Sequence, residues 1–473
     1  MCGLLPAFPA RVKLHSMSVS PARAAAFDIL FRVEREGSYA SELLHSASYR
    51  GLSDADHALT TELVLGVLRW RSRLDDEIAA ASSQQIAKLD LEVLLALRLA
   101  VYQLRYLDRI PARAALNESV ELVKRARKRS AAAFVNAVLR KLSAQTKSDK
   151  SSTTGSTEAH REGSPQSIAR AWAHPEWMVK QWMQEYGLEV AEKICRSDQS
   201  IPTTAIRLRT AKAERELAAE GISLGAGALL SSARRVQAGD ITKTRTFREG
   251  QIAIQDEASQ LVAALVSTGE RGLRILDCCA APGGKTLAIA DQNPDAEITA
   301  IELHPHRARL MQKLRPDKRI AIVVADARAL PTTQRFDRVL ADVPCSGTGT
   351  LARNPEIKWR LKPADLSELH QRQVAILRSA LNQLAPGGRL VYSTCSLERE
   401  ENEDVVTEVL SGNETVRVID CREELVRLKA AGILTWTDPS SLTCGPYLRT
   451  IPGLHPCDGF FAVILEKSKH LRG

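Results

Sequence analysis

LRILDCCAAPGGKTLAIA, residues 273–290, is a short apolar run, a glycine turn and then a stretch with helical spacing. That succession is the opening of a strand–turn–helix unit. Working outward, further apolar runs fall at 298–301, 321–324, 338–341 and 389–392, separated by helix-like stretches. Strand and helix in alternation predict a doubly wound parallel α/β sheet across residues 251–473. A last run at 460–465 predicts an antiparallel strand at or near the sheet edge. In an open parallel sheet, ligands bind beyond the C-terminal ends of the strands, so the residues there are the functional candidates.

Upstream the pattern is different. Residues 22–36, 54–74, 89–106, 114–126 and 131–143 carry apolar residues at three- and four-residue spacing, which predicts an all-α bundle over 18–143. The stretch 89–106 is apolar nearly all round and belongs at the bundle centre. Ser53 is placed to cap the second helix. Residues 144–166 contain no Val, Ile, Leu, Met, Phe, Tyr or Trp, so they cannot bury a core and read as a flexible linker. A smaller α+β segment at 167–250 connects to the sheet. It holds a helix between Pro175 and Gly187, with Trp172, Trp177 and Trp182 in or beside it, and a strand at 203–208. The tryptophans read as a packed face rather than a platform for bases.

The chain has 473 residues, 44% of them hydrophobic and 26% charged, which suits a globular protein of several domains. No apolar stretch is long enough to cross a membrane. Residues 1–17 make a poor signal peptide and read as a disordered extension, with Met17 an alternative start. Nine cysteines, an odd number without CxxC spacing, argue against a disulfide framework and against a zinc site, so no metal is expected. Reduced thiols fit the cytosol, and a monomer is the default. The net charge of +9 suits a polyanionic partner.

Three strand ends suggest an adenosine-bearing cofactor. The first strand ends at Asp277 and enters Cys279, Ala280, Ala281, Pro282, Gly283, Gly284 and Lys285. The glycines permit close backbone approach, and the following helix aims amide donors at the ligand. Glu302 ends the second strand nineteen positions after Gly283, the placement of an acid that bonds ribose hydroxyls. Asp326 ends the third. The loop has neither GxGxxG nor GxxxxGK[ST], which disfavours nicotinamide cofactors and nucleoside triphosphates and favours S-adenosylmethionine.

The fourth strand ends at Asp342 and Cys345, the fifth at Cys395. Two thiols at adjacent strand ends face one pocket. Inert burial is the ordinary fate of cysteine, but here both stand in turns at the functional edge. A thiolate adding to carbon 6 of cytosine makes carbon 5 nucleophilic enough to accept a methyl group, which is covalent catalysis. An acid near ring N3 favours that addition, and Asp342 is expected to serve if it keeps or shares a proton. Lys285 is a candidate cation for lowering the thiol pKa.

The strings DCCAAPGGKT (277–286), DVPCSGTG (342–349) and STCSLEREENEDVV (393–406) resemble the signature motifs of the RNA 5-methylcytosine methyltransferases, the NOL1/NOP2/Sun group. GQIAIQDEASQLVA (250–263) and PGLHPCDGFFAVILEK (452–467) resemble the group's entry helix and final strand, so the likeness spans 170–467. IPARAALNESVELVKRA (110–126) and FVNAVLRKL (134–142) make the helical bundle similar to NusB, an RNA-binding factor. The fusion of the two resembles bacterial 16S ribosomal RNA methyltransferases. The resemblance implies a class I Rossmann-like methyltransferase domain, S-adenosylmethionine as cofactor and a single-stranded or loop cytosine of 16S RNA as target. It implies that Cys395 is the nucleophile and that Cys345 assists proton removal or product release. Residues 279–285, Glu302, Asp326 and Asp342 would contact the cofactor. The family more often shows Asp where this chain has Glu302.

Two basic stretches are candidate RNA contacts: Lys124, Arg125, Arg127, Lys128 and Arg129, and then Arg353, Lys358 and Arg360 beside Trp359. Solvated helix ends and a structural tryptophan are their plainer readings. Three rival functions stay open. Transfer RNA is one alternative substrate. A non-catalytic antitermination factor would have no use for paired thiols. A DNA cytosine methyltransferase would place its nucleophile at Cys345 and make Cys395 dispensable.

Overall fold

The computed structural model describes residues 19–49, 51–149, 163–267, 269–314, 317–330 and 332–469. The chain divides into two compact units, Met1–Glu162 and Gly163–Gly473.

The first unit holds helices α1 (Pro21–Glu36), α2 (Ala40–Leu44), α3 (Asp54–Ala81), α4 (Leu91–Tyr106), α5 (Ala112–Arg125) and α6 (Ala132–Asp149). Its centre is α4, buried without a break from Val93 to Gln103, because its sequence offers water no polar stripe. Close packing of α3 on α4 needs Gly66: a Cβ there would stand 1.9 Å from the Tyr102 ring. Arg98, buried on α4, is held by both oxygens of Asp75 at 2.7 Å. Ser53 caps α3 by accepting the Asp56 amide at 3.2 Å, worth about 1 kcal/mol. Helix ends depart from the sequence expectation. α3 runs on to Ala81 and α6 to Asp149, the latter entering the stretch read as a linker. Helical propensity and a packed first half extend a helix past the last apolar residue. The short α2 has too few residues to show a period. The extension read at 1–17, with Met17, and linker residues 150–162 lie outside the described residues.

The second unit opens with α7 (Pro165–Ala171), α8 (Glu176–Tyr186) and α9 (Leu188–Asp198). Trp182 is fully buried and Trp172 and Trp177 pack beside it, so the three are a packed face. Next come β1 (Ala205–Leu208), α10 (Ala213–Ala219), β2 (Ser223–Ala226), β3 (Ala233–Ala238), α11 (Arg245–Arg248) and β4 (Ile252–Ile254). The four strands form an antiparallel sheet in the order β2-β3-β1-β4. β4 lies past the boundary drawn at 250 in the sequence, because its three residues carry no turn signal to separate them from α12 (Glu257–Val266).

The large sheet follows, with strands β5 (Arg274–Asp277), β6 (Glu297–Glu302), β7 (Ile320–Val324), β8 (Phe336–Asp342), β9 (Leu384–Thr394), β10 (Val416–Ile419), β11 (Thr443–Cys444), β12 (Tyr447–Thr450) and β13 (Phe460–Lys467). The order is β11-β12-β13-β9-β8-β5-β6-β7, with β10 paired to β13. β5 to β9 are mutually parallel, and β13 runs antiparallel to β9. β13 is interior, because β12 and β10 also pair with it. Neighbouring residues of one strand enter opposite cores: Ile275, Leu340 and Val391 face one, Leu276, Val339 and Leu390 the other. A period of two with both faces buried is what a helix-covered parallel sheet requires. Helices α13 (Gly284–Gln292) and α14 (Pro305–Leu314) follow β5 and β6. The turn α15 (Ile357–Arg360) and the long α16 (Pro363–Gln383) lie between β8 and β9. Among the described residues no helix is long and apolar enough to cross a membrane.

Candidate active site

Because β5 to β9 are parallel, Asp277, Glu302, Asp342 and Thr394 end their strands at one edge. The loop after β5 is closed by Asp277, whose carboxyl accepts the Thr286 hydroxyl at 2.7 Å and the Cys279 amide at 3.3 Å. Burial pushes that carboxyl up to about 6. Gly283, at φ +95°, makes the turn that lets α13 start at Gly284. Burial pushes the Cys278 and Cys279 thiols well up.

A cleft of about 370 Å³ opens on this loop. Of the residues singled out in the sequence, Cys279, Ala280, Ala281, Pro282, Gly284, Lys285, Asp342, Arg353 and Cys395 line it; Gly283, Glu302, Asp326 and Cys345 do not. The space suits a close-approaching ligand: a Cβ on Gly284 would meet nothing nearer than the Gln255 amide at 3.8 Å. Gln255 borders the same cleft, and its buried Oε1 has no hydrogen-bond donor among the described residues. Glu302 is buried and accepts the His304 amide at 2.8 Å. Asp326 caps a turn and pairs with Arg328 at 2.6 Å, which holds its carboxyl below the usual range.

The two predicted thiols meet. Cys345 Sγ and Cys395 Sγ are 3.2 Å apart, brought together by the side-by-side pairing of β8 and β9. Their hydrogen bond, with burial, pushes the Cys345 thiol well above its ordinary value. Asp342 faces Lys285 Nζ at 2.8 Å and the Ser393 hydroxyl at 2.8 Å, so a donor reaches each of its two oxygens. Burial opposes the Lys285 ammonium, but Asp342 outweighs it and holds that pKa up. Lys285 also stands 4.9 Å over the Phe460 ring.

Sequence reading missed the groups that hold this pair in place. Glu401 is fully buried and joins the two cysteine turns. It accepts the Ser346 amide at 2.8 Å, the Ser346 hydroxyl, the Ser396 hydroxyl at 2.5 Å and Gln373 Nε2 at 2.8 Å. Asn402 accepts the Thr394 hydroxyl at 2.5 Å and donates to the Ser396 carbonyl at 3.0 Å. Glu401 and Asn402 stand inside the quoted string at 393–406, but a charged run reads as solvent-facing until the partners are seen.

The basic candidates are sorted by their partners. Arg353 is tied to Asp458 at 2.9 Å and to Asp256 at 3.1 Å, forming a wall of the cleft instead of projecting outward. Lys358 is 1% exposed and cannot meet RNA. Its charge acts on the buried His174 and Asp198, which share a 3.2 Å contact. Arg360 is half-buried. In the first unit, Lys124, Arg125 and Lys128 pair with Glu121, Asp28 and Asp90 at 2.7, 3.1 and 2.9 Å. Arg127 and Arg129 are exposed.

A parallel sheet in this order, with a glycine turn on its first strand and acids at successive strand ends, defines a class I methyltransferase. The 16S rRNA methyltransferase RsmB/F family is matched over residues 264–466, the NusB family over 20–144 and an RsmF/B-like ferredoxin-like domain over 174–237. The chain is 36% identical to the probable ribosomal RNA small subunit methyltransferase B of Bacillus subtilis, across 82% of this chain and 88% of that one. It is 30% identical to the ribosomal RNA small subunit methyltransferase B of Vibrio cholerae, across 94% and 97%. The crystal structure of PH0851 shares the fold, with a TM-score of 0.77 at 22% identity, across 96% of this chain and 100% of that one. The chain belongs to the RsmB/F family of S-adenosylmethionine-dependent ribosomal RNA methyltransferases.

Proposed function

We propose that the protein forms 5-methylcytosine in 16S ribosomal RNA through a covalent bond between Cys395 and carbon 6 of the cytosine. The observation that carries this reading is the 3.2 Å approach of Cys345 and Cys395 at adjacent strand ends, with only Cys395 lining the cleft. The hydrogen bond to Cys395, with burial, keeps the proton on Cys345, which weighs against the DNA-type arrangement with Cys345 as nucleophile. When Cys395 adds to carbon 6, carbon 5 becomes the nucleophile. Asp342, holding a proton, donates it to ring N3 as the sulfur–carbon bond forms, and Lys285 at 2.8 Å steadies the carboxylate left behind until N3 returns the proton. Bound S-adenosylmethionine supplies the methyl group. Cys345 then gives its proton to the departing Cys395 sulfur and takes up the carbon-5 proton, as the sulfur–carbon bond breaks and the ring double bond returns.

The residues suit that cofactor. The amides at the start of α13, the loop 279–285 and Glu302 would hold it, with Glu302 toward the ribose hydroxyls and Asp326 beyond. Asp342 and Lys285 border the same cleft. The target base must leave its stack to reach Cys395, at a cost of roughly a few kcal/mol that is least in a loop.

The test is methyl transfer from labelled S-adenosylmethionine to unmodified, deproteinised 16S RNA, with transfer RNA and DNA in parallel and nucleoside analysis of the product. Label in 5-methylcytosine of 16S RNA alone is the expected result. Label only in transfer RNA or DNA overturns the substrate, and label in another nucleoside overturns the chemistry.

A further inference from the structure

The run 303–316 contains no Asp or Glu, yet it carries two histidines and several cations. Within it, α14 springs from the cofactor edge directly after Glu302. Ala308 and Met311 are buried and fix which face meets the sheet. His306, Arg309, Leu310 and Lys313, at i, i+3, i+4 and i+7, form an exposed stripe on the opposite side, with Arg307 exposed beside it. Among the described residues none of Arg307, Arg309 and Lys313 has an ion-pair partner. The cations at 124, 125 and 128 do, so a carboxylate already holds each of them. Leu310 is 49% exposed within the charged stripe. An apolar side chain flanked by free cations matches a single strand, whose ribose and base faces lie between phosphates.

We infer that the outer face of α14 is an RNA-binding surface, taking the phosphates of the strand that flanks the target nucleotide. Arg307 to Lys313 spans about 9 Å along the helix axis. α14 begins just past the end of β6, the strand next to β5, whose following loop opens the cleft. The inference rests on the RNA-methyltransferase reading and adds where the substrate is held.

The experiment compares the full-length protein with the variant Arg307→Gln/Arg309→Gln/Lys313→Gln. Binding to deproteinised 16S RNA is titrated against salt, and methyl transfer and S-adenosylmethionine binding are measured beside it. Each lost single-strand phosphate contact lowers the slope of log K against log salt by about 0.7, so three remove about two units. The expected result is that lower slope, a KM for RNA raised roughly tenfold or more, and unchanged kcat and cofactor affinity. Neutralising Lys124, Arg125 and Lys128 instead should move the slope less, because a cation already held by a carboxylate neutralises less phosphate charge. Wild-type slope and KM in the α14 variant overturn the inference while leaving the methyltransferase reading intact. A lowered slope with wild-type label in a nucleoside other than 5-methylcytosine keeps this surface and overturns that reading.

Discussion

The cysteine turn after β8 and the segment that follows it, residues 353–360, both take polar groups out of water, and they use them differently. At the turn, Cys345 and Cys395 stand against each other, Asp342 and Lys285 are paired at 2.8 Å, and three of the four line an open cleft. In the segment, Lys358 is sealed beside His174 and Asp198, and Arg353 is clamped between Asp256 and Asp458. The same kinds of charge thus border a reaction space in one place and brace the fold in the other. What separates them is access to the cleft, because a buried charge with fixed partners has nothing left with which to meet a substrate.

The two regions should part cleanly under mutation. Cys395→Ala is expected to abolish methyl transfer while S-adenosylmethionine still binds, checked by labelled-methyl transfer and by calorimetry. Full activity in that variant would remove the distinction on the active side. Cys345→Ala should form the adduct but fail to release it, leaving a protein–RNA complex that survives a denaturing gel; rapid turnover without such a complex breaks the assignment. Lys358→Met should do the reverse. It leaves Asp198 buried without its nearby charge and should cost about 3 kcal/mol of stability by denaturant unfolding, with methyl transfer per folded molecule retained. A loss of kcat without loss of stability would move Lys358 into the site.

The smallest effect concerns Glu398, next to the Cys395 turn. Burial pushes its carboxyl up to about 8, although it accepts Trp182 Nε1 at 3.0 Å. The folded chain keeps this proton up to about pH 8, whereas the unfolded chain gives it up near 4.5. Between those values the folded state holds more protons, so its stability falls as pH rises. Glu398→Gln removes that fall, and its Tm relative to wild type should be higher at pH 8 than at pH 5, by about 2–4 °C per kcal/mol relieved. A Tm difference that does not change with pH would show that Glu398 is already charged in the fold.

Much of this was legible before any coordinates. Apolar periodicity placed β5 to β9 and the long helices, because burying a period of two or of 3.6 is a local property of the chain. Residue type and position at strand ends marked Lys285, Asp342, Cys345 and Cys395, because a parallel sheet delivers every such end to one edge. Helix ends at Ala81 and Asp149, the strand β4 and the short α2 were less legible, since local patterns fade where packing takes over.

By itself the sequence determined the architecture, the family and which side chains are candidates for the site, since hydrophobic period and motif chemistry are written residue by residue. Only the tertiary structure decided which charges are free. Lys358 and Arg309 look alike as letters, yet one is sealed beside a carboxylate over a hundred residues away and the other stands exposed on α14. The same holds for Glu401, whose partners come from 346, 373 and 396. Pairing of that kind depends on distance in space, and desolvation rewards or penalises a charge only once its neighbours have arrived.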